Sequence, residues 1–397
     1  MADLPQNWQS DFITKICKIY QPKTIATSQL ISGGEYPVFG ANGQIGFYDK
    51  YNHEEQEVLI TCRGATCGNI NKSKEKSWIN GNAMVASPLD QNILDKDFLF
   101  FFLNSISFKD YITGSAQPQI TRTSLEKLLV LLPPLNEQKR IVKKLDSIMP
   151  KIDEVNERLE KIPLILKRAR QSILNQAITG ELTKDWRKEH LGLSDTSSLW
   201  NKRQMADIGR ILCGVSPKTS ETNMNELGEP YVSGPEQWNG RNIIINKWTE
   251  YSNRIAPANS IFITVKGAGV GKVFPGIEAA IGRDIYAFIP NDSVSYYYIL
   301  IYLQNITSTI IEKAQGLIPG LSKEHIMGND ILLPSLEEQE EIVKQVKKAF
   351  EKLDKIEEQY KKAKSYTDKL TQSILHKAFK GDLVPQDPND KPVELSE

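Results

Sequence analysis

Residues 134–182 read PLNEQKRIVKKLDSIMPKIDEVNERLEKIPLILKRARQSILNQAITGEL, and their apolar spacing decides the fold. Ile141, Leu145, Ile148, Ile152, Val155, Leu159 and Ile162 follow one another in alternating steps of four and three. That is the heptad spacing of a helix lying along a partner helix. The same steps return through Ile342, Val346, Ala349, Leu353, Ile356, Tyr360 and Ala363. Gln171-Ser172-Ile173-Leu174 returns as Gln372-Ser373-Ile374-Leu375, and 372 − 171 equals 342 − 141. Two long helices of equal length therefore alternate with two other regions, and this repeat governs every local reading.

The rest of the 397-residue chain has room for two or three domains. Its 49 basic and 49 acidic residues cancel. Bulk basicity is thus no argument for a nucleic-acid partner, although local patches remain open. The four cysteines, Cys17, Cys62, Cys67 and Cys213, have no histidine or second cysteine pair beside them. This predicts no metal site and a reduced, cytoplasmic protein. Residues 1–10 lack the pattern of a secretory leader. No apolar run reaches membrane-spanning length.

Residues 1–133 alternate β-branched or apolar runs with turn residues, as in Val58-Leu59-Ile60-Thr61 followed by glycines, and 199–333 repeat that grammar. Trp8 and Ile16 match Trp200 and Ile208. The expected segments are 1–133, a first domain; 134–182, spacer helix 1; 183–198, a linker; 199–333, a second domain; 334–383, spacer helix 2; and 384–397, a flexible tail. Asn136 is expected to cap the first helix, and Pro163 to kink or restart it. Ser335 and Glu338 are expected to form a capping box on the second helix. Gly180 and Gly381 stop the two helices.

Arg63-Gly64-Ala65-Thr66-Cys67-Gly68 matches Lys266-Gly267-Ala268-Gly269-Val270-Gly271, with Lys272 next. A nucleotide-binding P-loop needs glycine at 266 and Ser or Thr at 273, where Lys266 and Val273 stand. Two readings remain for the loop. The glycines supply tight turns, or the loop presents a cation and backbone amides to a nucleic-acid backbone. Gln117-Pro118-Gln119-Ile120-Thr121-Arg122 matches Ile318-Pro319-Gly320-Leu321-Ser322-Lys323. Gln and Arg read adenine and guanine edges, though a helix cap with surface polars explains the segment as well. Lys72, Lys74 and Lys76 form a solvated hairpin or a phosphate-facing stripe. The candidate DNA contacts are Arg63, Gly64, Lys72, Lys74, Gln117, Gln119, Thr121, Arg122, Lys266, Gly267, Lys272, Arg283, Ser322 and Lys323. The candidate helix-pair contacts are Ile141, Leu145, Ile148, Ile152, Val155, Leu159, Ile342, Val346, Leu353, Ile356 and Tyr360. No catalytic constellation stands out, and His53, His190, His325 and His376 are scattered.

Leu132-Pro133-Pro134-Leu135-Asn136-Glu137-Gln138 with Leu333-Pro334-Ser335-Leu336-Glu337-Glu338-Gln339 carry a family resemblance. The two Gln-Ser-Ile-Leu runs and Asp185-Trp186-Arg187 complete it. Together they make the chain similar to the specificity (S) subunits of type I restriction–modification enzymes. The resemblance implies an α+β fold: two mixed α/β target-recognition domains separated by two long antiparallel coiled-coil helices, with an internal pseudo-twofold repeat. It implies double-stranded DNA bound at a bipartite, asymmetric site. Two methyltransferase (M) subunits and two restriction/translocation (R) subunits would be the partners. S-adenosylmethionine, ATP and magnesium belong to those partners, with no cofactor in this chain and no catalysis by it. The rival reading is a non-catalytic coiled-coil scaffold holding two β-rich protein-interaction domains.

Overall fold

The computed structural model describes residues 5, 7–114, 117–192, 195, 199–251, 254–267, 269–313 and 320–395. The chain divides into two compact units that cut across the expected segments. Unit 1 comprises 1–160 and 361–397, and unit 2 comprises 161–360. Each contains a mixed α/β domain, the head of one long helix and the end of the other.

In unit 1 a four-stranded antiparallel sheet runs in the order Cys17–Tyr20, Ala83–Pro88, Val58–Thr61, Ile70–Lys72. Val58–Thr61 is buried along its whole length, so alternation gives way to a continuous apolar run. A smaller sheet joins Gly43–Tyr48, Tyr36–Gly40 and Trp78–Ile79. The helix Lys96–Ser105 closes the core with Phe98, Leu99 and Leu103. Asp95 caps it, its carboxylate accepting from the amides of Asp97 and Phe98.

Unit 2 repeats the plan with Gly209–Cys213, Ile285–Pro290, Ile261–Thr264 and Val273–Pro275 in the same order. Its smaller sheet has five strands, with Glu229–Val232 and Ala279–Ile281 parallel as Tyr36–Gly40 and Trp78–Ile79 are. Its domain helix is Tyr296–Lys313.

The first long helix, Leu135–Thr179, runs through Pro150 and Pro163 as one element, so of the kink or restart expected at Pro163 the restart does not occur. The second is Leu336–Ala378. Within unit 1 Leu145 and Leu375 share the core, and Asn156 accepts from Thr367 Oγ1 at 2.9 Å. Within unit 2 Leu174 and Val346 share the core, and Arg170 reaches Glu357 at 3.2 Å. In each unit the residue numbers run in opposite directions, so the helices are antiparallel there.

The seam is narrower than the heptads suggest. Ile141, Leu145, Ile152 and Leu159 are buried, as are Ile342 and Val346, while Ile148, Leu353 and Tyr360 are half-buried. Val155 and Ile356, expected in the seam, are 44% and 45% exposed, and Ala363 is exposed too. A helix of 3.6 residues per turn drifts about 20° per heptad against a strict 3.5 repeat. One partner helix therefore covers one row fully and leaves the flanking row open to solvent.

The heads of the long helices are locked to their domains by one repeated device. Trp8 Nε1 donates to Glu137 Oε2 at 3.1 Å, and Trp200 Nε1 to Glu338 Oε2 at 2.9 Å. Gln138 Oε1 accepts from Asp95 N and its Nε2 donates to Pro133 O. Gln339 does the same with Ser295 N and Pro334 O. The Glu-Gln dipeptide thus ties helix head, domain helix and preceding strand together. Ser335 accepts from the Glu338 amide at 3.3 Å, but the Glu338 carboxylate faces Arg187, so the expected capping box is half formed. Asn136 lies in the first turn and donates to Asp390, so it is not the cap.

The described parts of the expected linker and flexible tail pack as structural parts, while 193–194, 196–198 and 396–397 lie outside the described residues. Lys184–Leu191 is a helix whose Arg187 is buried against Glu338 and Thr183. Trp186 stacks on His190. In unit 1 Asp390 and Val393 are buried, and Asp390 accepts from Arg140 at 2.6 Å. Gln386 donates to Glu137 at 3.3 Å. Each segment following a long helix therefore completes the helix head within its own unit.

Candidate nucleic-acid interface

In unit 1 the basic loop and the Gln117–Arg122 segment are adjacent. Ile120 N donates to Cys62 O at 3.0 Å, Gly64 N donates to Pro118 O at 3.2 Å, and Arg63 bridges to Gln119 as a β-pair. Unit 2 does the same, with Leu321 N donating to Val265 O at 2.9 Å. Two segments some sixty residues apart thus present Arg63 with Gln119, Thr121 and Arg122, and Lys266 with Ser322 and Lys323, all at the same edge of matching sheets.

The loop glycines have a backbone explanation. Gly64 and Gly68 have φ of 89° and 94°, and Gly267 and Gly271 have 79° and 83°. Those left-handed values disfavour any side chain. Cys67 N donates to Gly64 O and Val270 N to Gly267 O, closing the same turn in both units. The glycines shape the loop, and Arg63 and Lys266 are the exposed cations it carries.

A cleft of about 260 Å³ in unit 1 is lined by Tyr20, Gln21, Arg63, Gln119, Thr121 and Arg122, among others. Tyr20 bonds His53 Nε2 at 2.8 Å. Burial pushes the Tyr20 phenol up, helped by Glu57, and the His53 imidazole down, helped by Lys18. Both stay uncharged at neutral pH, and the charge in the cleft comes from the arginines. Thr121 and Ser322 cap the short helices Arg122–Leu125 and Lys323–Met327, accepting from Ser124 N and His325 N. The helix-cap reading of these two hydroxyls is therefore correct.

The remaining sites divide. Lys72 is not free for phosphate, because its ammonium pairs with Asp97 and lies 4.4 Å from the centre of the Phe100 ring. Lys74 and Lys76 are exposed, but on a connection between two sheets and not on a hairpin, since Ile70–Lys72 pairs with Val58–Thr61 and Trp78–Ile79 with Tyr36–Gly40. Lys272 is exposed beside Lys266 in the loop. Arg283 is exposed, with its amide donating to Ser216 Oγ. Gln117 is exposed, whereas its match Ile318, together with Pro319 and Ala268, lies outside the described residues. Sequence reading missed Gln21, whose amide donates to Cys62 Sγ at 3.1 Å. No motif marks it, since it reaches the cleft only through the pairing of Cys17–Tyr20 with Ala83–Pro88. Among the described residues no group of three His, Cys, Asp or Glu is placed to hold a metal ion. No helix among them is long and apolar enough to cross a membrane.

The family model described as type I restriction modification DNA specificity domain matches twice, over residues 5–164 and 197–364. The chain is 24% identical over 413 residues to the specificity subunit of the type I restriction enzyme EcoDI of Escherichia coli, covering 96% of this chain and 90% of that one. It is 26% identical over 394 residues to the EcoKI specificity subunit of Escherichia coli K12, covering 93% and 79%. In fold it is similar to a chain solved in work on complex assembly and conformational transition of the type I R-M system. The TM-score is 0.76, identity 20%, and coverage 96% and 100%. The HsdS subunit from Thermoanaerobacter tengcongensis gives a TM-score of 0.53 at 20% identity, with coverage of 96% and 98%.

Proposed function

The chain belongs to the type I restriction modification DNA specificity family, and from that premise we propose that it recognises a bipartite, asymmetric site in double-stranded DNA. Unit 1 reads one half-site and unit 2 the other. The observation that carries this reading is the repeated convergence of an exposed cation loop with the 117–122 and 320–323 segments. Phosphate contacts from such loops fix register on the duplex, while side chains at base edges supply sequence.

The long helices act as spacer and docking face for two methyltransferase and two restriction subunits. Leu164, Ile165 and Ile356 in unit 2, and Val155 and Tyr366 in unit 1, are exposed apolar residues on these helices. Apolar side chains left on a charged helix suit protein partners. The chain itself does no chemistry. S-adenosylmethionine, ATP and magnesium serve the partner subunits, and the complex works in the cytoplasm.

Incubation of the full chain and its methyltransferase subunits with a random duplex pool tests the reading. Enrichment of a split motif supports it. Stable protein assembly without enrichment would establish the scaffold reading instead.

A further inference from the structure

We propose that the two units read DNA by different chemistry at their matching loops: unit 1 reads a base edge through Gln119, in the cleft it shares with Gln21, whereas unit 2 grips only phosphates there. This rests on the DNA-recognition reading above and goes beyond it by assigning a specificity-determining residue to one half-site.

The backbone frame is the same in both units. Ile120 N bonds Cys62 O, and Leu321 N bonds Val265 O. Cys17–Tyr20 pairs with Ala83–Pro88 in the register that Gly209–Cys213 takes with Ile285–Pro290. On this frame Gln21, Arg63, Gln119 and Arg122 surround the unit 1 cleft. The positions that match them are Cys213, Lys266, Gly320 and Lys323.

The side chains differ in what they can read. A carboxamide offers a donor and an acceptor together, matching adenine N7 and N6 in the major groove. Lysine is a point charge without a fork, a thiol is a weak donor, and Gly320 has no side chain. Gln119 holds its place by its backbone alone, pairing with Thr113 in both directions at 2.8 and 2.9 Å. Among the described residues its carboxamide makes no hydrogen bond, and the residue is exposed in the cleft wall. Gln21 lines the same cleft, where its Nε2 donates to Cys62 Sγ at 3.1 Å. At the matching positions unit 2 carries Lys266 and Lys323, cations suited to phosphate oxygens.

The test is selection of bound duplexes by the full chain with its methyltransferase subunits, scoring base preference at every position. Gln119→Ala should lower the preference at one base pair of one half-site by between about five- and a hundredfold, leaving the other half-site intact. Gln119→Glu keeps an acceptor and loses the donor, so preference there should move toward cytosine, whose N4 amine donates. Because Gln119 is exposed, both variants should keep the thermal midpoint of the parent. Lys266→Ala with Lys323→Ala should weaken binding on all sequences and preserve both half-site motifs. A parental split motif unchanged in Gln119→Ala, Gln119→Glu and Gln21→Ala would overturn this inference alone. So would a base preference lost with the two lysines. Absence of any motif for the parent protein would overturn the recognition reading and this inference with it.

Discussion

Arg187 and Glu338 form an ion pair from which water is almost wholly excluded, their side chains 2% and 1% exposed. Thr183 Oγ1 donates to the same carboxylate oxygen at 2.7 Å, and Trp200 to the other at 2.9 Å. Removing one partner of such a pair strands a buried charge, at a cost of about 3–5 kcal/mol. Arg187→Met and Glu338→Gln should each destabilise unit 2 by that order. The double variant should cost less than the two single costs together. Denaturant unfolding in a double-mutant cycle measures this, and additive costs would contradict it.

The matching glutamate in unit 1 should respond in the opposite sense. Glu137 has no guanidinium directly upon it, and burial pushes its carboxyl above the ordinary value of 4.5, only partly offset by the Trp8 indole and Arg140. A carboxyl raised in the folded state binds its proton more tightly there. Its contribution to stability is complete below 4.5 and is lost as pH rises through the folded value. Glu137→Gln should therefore be as stable as the parent or more so at pH 7. That advantage should shrink on acidification toward 4.5. Unfolding midpoints of both proteins across this window decide the matter.

The long helices should tolerate charge in one place and not in another. Ile152 is 7% exposed and Ile356 45%. Ile152→Asp buries an uncompensated carboxylate and should cost several kcal/mol, whereas Ile356→Asp should stay within about 0.5 kcal/mol of the parent. Equal thermal midpoints for the two variants would place Ile152 outside the packed row.

Asp390 accepts from Arg140 at 2.6 Å and from Asn136 at 3.2 Å, and its carbonyl accepts from Asn7 at 3.0 Å. Hydrogen bonds to a charged group contribute about 1.5–3 kcal/mol each when buried. Asp390→Ala, which keeps the carbonyl, should lower unit 1 stability by about 1–3 kcal/mol and increase proteolysis after residue 380. An unchanged cleavage pattern would show that the segment is held without it.

Arg63 and Lys266 should behave as phosphate contacts. Each change to Ala should weaken DNA binding on all sequences and reduce the salt slope by about one. An affinity and slope equal to the parent's would remove that residue from the interface.

The long helices and the repeat were legible because a 201-residue offset and a seven-residue period are properties of the sequence itself (342 − 141). The pairing of Arg63 with Gln119 was half legible, since both were singled out, but only the sheet brings them together. Gln21 and the docked Asp390 were not legible. Their roles come from strand register and from contacts spanning hundreds of positions, and a short polar stretch such as VPQDPNDKPVELSE looks the same whether solvated or clasped. Arg187 stands within the Asp185-Trp186-Arg187 motif, yet its burial follows from Glu338, 151 residues away. Val155 and Ile356 were misplaced because periodicity gives the stripe's direction but not how much of its width one partner covers.

The packing of residues 375–393 into unit 1 bears on synthesis order. Leu375, Ala378 and Val393 belong to the same core as Trp8 and Phe98. Unit 2 lies wholly within 161–360. On the ribosome, the unit whose translation starts first is thus the one whose core is finished last. Its apolar face at Phe98 and Phe102 waits for Phe379, the ring that will cover it, while the whole of unit 2 is being made. A nascent chain halted after residue 360 would hold a complete second unit and an unfinished first one.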